Sequence, residues 1–169
     1  MTFARPGGEI AVLLLNGGDM GKYVIRRANA EQIPALTAIW ERSVRASHTF
    51  LGESDIVGIL PQVRQALQSP GVWIACEGET PAGFMIMDKD MVEALFVDVP
   101  FMGKGVGSAL IRHAREIVGP GSKLRVDVNE QNPDALAFYL SKGFRRIGRS
   151  ETDAMGRPFP ILHLARSQE

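Results

Sequence analysis

The chain has 169 residues, 45% hydrophobic and 22% charged, with 19 basic side chains against 19 acidic ones. That balance predicts one soluble domain and argues against nucleic acid as a partner, because neutralising phosphates takes a basic excess. The single Cys76 and three scattered histidines exclude an internal disulfide and give no metal-ligand set, and no apolar run reaches the roughly 20 residues of a membrane helix, so the expectation is a metal-free cytoplasmic protein without membrane contact.

The N-terminus carries a short apolar run at 10–15 after Arg5. A signal peptide has about 7–15 apolar residues and then a small-residue cleavage site, and neither condition is met. Asn16-Gly17-Gly18-Asp19 reads as a linker. Residues 1–19 are therefore expected to be an extension, flexible or an extra edge strand over 9–15, ahead of a domain spanning 20–169.

Residues 22–27 alternate, with Tyr23 and Ile25 on one side, and predict a first strand. Asn29 offers a cap with Gln32 three residues on, and Ile33, Leu36, Ile39, Trp40 and Val44 recur at helical spacing to about Ala46. Pro34 fits only if the helix begins close to it. A second helix is predicted over 53–67, with Ile56, Leu60, Val63 and Leu67 on one face and a kink at Pro61. Strands follow at 72–77, 82–87 and 91–97, the last two joined by Asp88-Lys89-Asp90.

A helix over 105–118 turns Val106, Ala109, Leu110, Ala114 and Ile117 inward, and Gly119-Pro120-Gly121 ends it. After a strand at 123–128, Asn132-Pro133 caps and starts a helix that runs to Lys142 and stops at Gly143. Strands at 144–149 and 159–165 close the chain. The order is βααβββαβαββ. Strand–helix–strand at 91–128 requires a parallel crossover while the hairpins are antiparallel. The fold class is thus α/β (α+β), a mixed, mostly antiparallel central sheet flanked by helices.

The stretch from Val92 to Leu110 carries the most chemistry. An apolar strand runs out into Gly103, Gly105 and Gly107, and those glycines open a helix. Glycine lets a ligand approach the backbone. The first helical amides have no partner within the helix and sit at the positive end of its dipole. Strand, glycine turn and helix start together make a phosphate cradle. It is not a P-loop, which needs Gly-Lys-Ser/Thr after its second glycine. It departs from the dinucleotide pattern as well, because Leu110 stands where G-x-G-x-x-G needs its third glycine.

At two segments the chain resembles the GNAT acyl-CoA N-acyltransferases. In the first, a strand like 93–97 leads into a loop of pattern Q/R-x-x-G-x-G, matched by Met102-Gly103-Lys104-Gly105-Val106-Gly107 with Met102 as the one departure. In the second, Asn132-Pro133-Asp134-Ala135-Leu136-Ala137-Phe138-Tyr139 and then Gly143-Phe144 match N-x-x-A-x-x-x-Y followed by G-F. The resemblance covers about 20–165, and the tail at 148–160 looks like a small bacterial subgroup of unnamed acceptor.

The resemblance implies an acetyl-CoA-dependent N-acetyltransferase whose strands at 91–98 and 123–128 splay. Pantetheine would pair with the backbone of Leu95 and Val97, with Phe96 between them in the same cofactor-binding strand, and amides near a β-bulge of the 91–97 strand would stabilise the oxyanion. The diphosphate would meet amides of Gly103, Lys104, Gly105, Val106, Gly107 and Ser108, with Asn132 as a further cofactor contact. Tyr139 matches the tyrosine beside the thioester sulfur. A phenol near pKa 10 is a weaker acid than a thiol near 8.5, so donating a hydrogen bond to the leaving thiolate describes it better than full proton transfer.

Two side chains compete as the base. Strand alternation puts Glu93 on the face of Leu95 and Val97, but a carboxyl near 4.3 falls about 6 units short of a lysine-type amine near 10.4. His48, at the end of the first helix, starts nearer at about 6.5. Trp40, His48 and Phe50 are candidates to line the acceptor pocket. The acceptor would be an amine on a small molecule, an amino acid or a protein, taken by direct transfer, with the chain a monomer or homodimer. Cys76 and His113 read as structural, and His163 can face either way. Two other readings stay open, a non-catalytic acyl-CoA-binding regulatory domain and a nucleotide-binding protein.

Overall fold

The computed structural model describes residues 21–167, and the expectations for 1–19 lie outside that range. One sheet carries helices on both faces over part of its width and on one face over the rest. Its strands are β1 (Val24–Arg27), β2 (Val72–Glu77), β3 (Thr80–Asp88), β4 (Met91–Val97), β5 (Lys123–Asn129), β6 (Arg145–Ser150) and β7 (Ile161–Ser167). They lie in the order β1-β2-β3-β4-β5-β7-β6, antiparallel except for β4 and β5. The helices are α1 (Ile33–Ser47), α2 (Glu53–Ala66), α3 (Val106–Val118) and α4 (Pro133–Ser141), in the predicted order.

Burial along the strands follows from this layering. In β3, residues 83–87 are buried on both faces. Met85 and Met87 point to α3 and α4, while Phe84 and Ile86 point to Leu36, Ile39, Trp40 and Val44 of α1 and Ile56 of α2. In β5 the pattern alternates: Leu124, Val126 and Val128 are buried beneath α3 and α4, while Lys123, Arg125 and Asp127 face out. Helices α1 and α2 pack on β2–β4 and leave that second face of β5 open.

Local chemistry sets the helix ends. The Gln32 side chain accepts from the Asn29 amide at 3.0 Å, closing a short 3-10 turn at Ala30–Gln32, and Pro34 falls in the first turn of α1, where its missing N–H is harmless. Pro61 is accommodated inside α2, which continues to Ala66. Asn132 caps α4 by accepting from the Ala135 amide at 3.1 Å. Ile117 departs from expectation. It continues the buried stripe of α3 but is 41% exposed in the last turn, and Val118 packs on the core instead.

Gly83 lets three elements meet. A Cβ there would stand 2.7 Å from the Phe96 carbonyl oxygen, 2.9 Å from Val106 Cγ1 and 3.2 Å from Val97 Cα. Gly83→Ala must therefore push β4 or α3 away. Overpacking of this kind costs about 1–3 kcal/mol, each worth about 2–4 °C in a chain of this size. Thermal unfolding checks it, and an unchanged Tm would show that the contact relaxes freely.

Candidate active site

Strands β4 and β5 pair only at Met91↔Arg125 and Val92↔Val126 and then part. Two parallel strands that separate leave backbone groups unpaired, and such groups need a partner. The gap opens into a cavity of about 620 Å³. Leu95, Phe96 and Val97 line one wall, Asp127, Val128 and Asn129 the other, and Asn132 and Tyr139 of the α4 segment stand at the back.

A β-bulge shapes the β4 wall. Ile86 pairs with Ala94 but Met87 pairs with Val92, so Glu93 is the extra residue. The bulge breaks the alternation that would have put Glu93 on the face of Leu95 and Val97. Val92, Leu95 and Val97 belong to the α3–α4 side of the core, and Ala94 and Phe96 to the α1–α2 side. Glu93 lines the cavity at the point where the strands part. Burial pushes its carboxyl up, and the Asp88 and Asp127 carboxylates add to this while Arg125 opposes it.

The glycine turn is a cradle with one position spent. Gly103 and Gly105 have φ of 72° and 89°, a left-handed backbone that favours glycine. Gly105 is the N-cap of α3, and its carbonyl receives the first helical bond, from Ala109 at 3.0 Å. The amides of Val106, Gly107 and Ser108 are thus the helix's unspent donors. Lys104 differs from expectation, because its amide donates to Phe101 O at 3.2 Å and its carbonyl accepts from the Tyr23 hydroxyl at 3.0 Å. Those bonds tie the turn down. Asp98 ties it to α1: both its oxygens receive the Arg42 guanidinium, at 2.8 and 2.9 Å, and Oδ1 also accepts from the Val99 amide. Arg42 holds the Asp98 carboxyl below its ordinary range.

Tyr139 is buried at 6% exposure, yet it lines the cavity, and its hydroxyl has no hydrogen-bond partner among the described residues. Burial pushes the phenol well up. The ring is fixed edge-on by Phe138 at 5.1 Å and Phe144 at 5.4 Å.

His48 lies across the cavity at the C-cap of α1. The Ser47 hydroxyl sits 2.7 Å from the Ser43 carbonyl and 2.8 Å from His48 Nδ1. With its one proton given to Ser43, Ser47 can only accept from Nδ1–H, which leaves Nε2 as the free basic nitrogen. Burial lowers the imidazole, so it is neutral at pH 7. Phe96 at 6.1 Å and Phe50 at 5.5 Å flank the ring, and Phe50 meets Phe159 of the β6–β7 loop at 5.9 Å.

The structure thus brings Glu93, His48, Tyr139, Asn132, the β4 wall and the glycine turn around one cavity. Trp40 is corrected: it is 3% exposed among core residues and does not line the cavity, because it faces the sheet from α1. Phe50 braces His48 rather than lining the cavity itself. Cys76 is buried and burial raises its thiol, which suits a core residue. Among the described residues there is no group of acidic, His and Cys side chains that could hold a metal ion, and no helix long and apolar enough to cross a membrane. Sequence reasoning missed Asp127. As an outward residue in an alternating strand it reads as surface, and only the parting of β4 and β5 turns it into a cavity wall.

A family model described as an acetyltransferase (GNAT) domain matches residues 68–146. The peptidyl-lysine N-acetyltransferase YjaB of Escherichia coli (strain K12) is 41% identical over 142 residues, 83% of this chain and 95% of that protein. The solution structure of apo-form YjaB from Escherichia coli superposes with a TM-score of 0.79 at 40% identity, covering 87% of this chain and 99% of that one. At 20% identity and a TM-score of 0.58, yncA from Salmonella typhimurium, a structure with its cofactor acetyl-CoA, shares the fold over 87% of this chain and 94% of its own.

Proposed function

The chain belongs to the GNAT acetyltransferase family, and on that premise we propose that it moves an acetyl group from acetyl-CoA to the side-chain amine of a lysine in a protein, acting in the cytoplasm. The observation that carries this reading is the parted β4–β5 pair, whose unpaired backbone, free α3 amides and unpartnered Tyr139 hydroxyl converge on one cavity. Acetyl-CoA supplies an activated acyl group and has donors and acceptors to match each. Its pantetheine amides fit the backbone of Leu95 and Val97. Its diphosphate fits the amides of Val106, Gly107 and Ser108, which any residue type supplies, so Met102 is no obstacle.

The neutral His48 takes the proton from the acceptor ammonium at Nε2. Glu93 holds that ammonium. The same ion pair makes Glu93 the weaker base of the two, because an opposite charge stabilises a carboxylate's charged form. The freed amine attacks the thioester carbonyl, the C–N bond forms, and the C–S bond breaks. Backbone amides beside the Glu93 bulge receive the negative charge that develops on oxygen. Tyr139 donates its hydrogen bond to the departing sulfur and keeps its own proton, while the second proton that the attacking nitrogen sheds as it becomes an amide goes to that sulfur, so that CoA leaves as the thiol.

The peptidyl-lysine acceptor follows YjaB by similarity and fits a cavity whose charged lining is acidic. A thiol-release assay with acetyl-CoA and a lysine peptide tests it. CoA release that requires both, with mass spectrometry placing the acetyl group on the side-chain nitrogen, is the expected outcome. Release with neither lysine peptides nor free amines would overturn the reading.

A further inference from the structure

The side chains that line the cavity include three carboxylates, Glu93, Asp127 and Asp134, and no lysine or arginine. Two of the three meet at the fork of the strands. The last paired residues are Val92 and Val126, and Glu93 and Asp127 directly follow them, both on the cavity and close enough that the Asp127 carboxylate helps to raise that of Glu93. Val126 points into the core with Tyr139, so Asp127 lies on the other face of β5, and Glu93 borders a groove with Ala66 of α2 and Ala94, which puts it on that same side. The Tyr139 hydroxyl, which opens on the cavity and has no protein partner among the described residues, marks where the reacting group must come.

Asp127 is also held. His163, its neighbour across the β5–β7 pairing, places Nδ1 2.6 Å from Asp127 Oδ1, and Ser150 of β6 places its hydroxyl 2.7 Å from His163 Nε2. In the neutral imidazole, Ser150 donates to Nε2 and Nδ1–H donates to Asp127. Both ring nitrogens are then occupied, the carboxylate is locked through one oxygen, and Oδ2 accepts no hydrogen bond among the described residues.

We propose that Asp127, oriented by His163 and Ser150 and paired with Glu93 at the fork, is the residue by which this site selects a positively charged acceptor amine. Two carboxylates at the fork share one ammonium, and a neutral amine gains nothing from the second. His163 and Ser150 are positioning residues that act through Asp127. The inference rests on the transferase reading above and adds the acceptor's charge as the property recognised.

Asp127→Asn tests it in the full chain, since the amide oxygen still accepts from His163. The acceptors are a lysine peptide, putrescine and a peptide carrying 4-aminophenylalanine, whose aromatic amine is uncharged at neutral pH. A hydrogen bond to a charged group supports discrimination of about 10- to 100-fold. The expected result is a fall of that size in kcat/KM for the cationic acceptors relative to the aromatic one, expressed in KM, with KM for acetyl-CoA held. His163→Ala should move the same ratio in the same direction, and His163→Gln, which can still donate to Asp127, should restore part of it. An unchanged ratio in Asp127→Asn would overturn the proposal. If the wild type acetylates putrescine but no lysine peptide, the protein acceptor falls, and Asp127 is then judged on putrescine alone.

Discussion

Tyr139→Phe should lower kcat by about 100- to 1000-fold while leaving the protein at least as stable. The activity loss follows from removing a preorganised donor aimed at developing charge. The stability follows from the hydroxyl's surroundings. It opens on the cavity and has no protein partner among the described residues, so the native fold gains no bond from it. Phe keeps the edge-on packing with Phe138 and Phe144. Because burial raises the phenol, it stays protonated across the working pH range, and the alkaline limb of the rate profile should not be its titration. Single-turnover kinetics and thermal unfolding of the same variant check both halves. A loss of activity matched by a loss of stability would point to a packing role instead.

His48→Gln should cost about 100-fold or more in kcat at pH 7, the usual worth of a positioned base. The sign of its pH dependence is fixed by burial. His48 must be neutral to take a proton, and its lowered pKa keeps it neutral down past the ordinary value, so wild-type activity should persist below about pH 6.5 and fall only as pH drops through the lowered value. The variant has no such base. Its rate should climb with pH toward the acceptor's own titration near 10.4, where the amine arrives already deprotonated, and the gap to wild type should close. A pH series on both proteins gives the answer. A constant gap at all pH values would mean that His48 only braces Phe50 and Phe96.

What could be read from sequence and what could not divides along one physical line. The glycine turn and the Asn132-to-Tyr139 helix were legible because each is local chemistry. Positive φ needs glycine, a cap needs a short acceptor, and both are set within a few residues. The parting of β4 and β5 was legible only through the family resemblance. The family resemblance implies a bulge in the strand at 91–97 but not that Glu93 is the extra residue, because a bulge is a mismatch between β3 and β4 and neither strand shows it alone. With that missed position went the expected face of Glu93. Trp40 failed for a similar reason: helical spacing predicts that it faces inward but not whether core or cavity lies there. Asp127, His163 and Ser150 come from three strands, and nothing in their spacing ties them together.

The most direct test of the account is a backbone-amide NMR titration of the protein with CoA. If the parted strands and the α3 turn hold the cofactor, the amides of Leu95, Val97, Val106, Gly107 and Ser108 should shift together and saturate at one concentration. Saturable shifts confined to other parts of the chain, with these five amides unmoved, would contradict it.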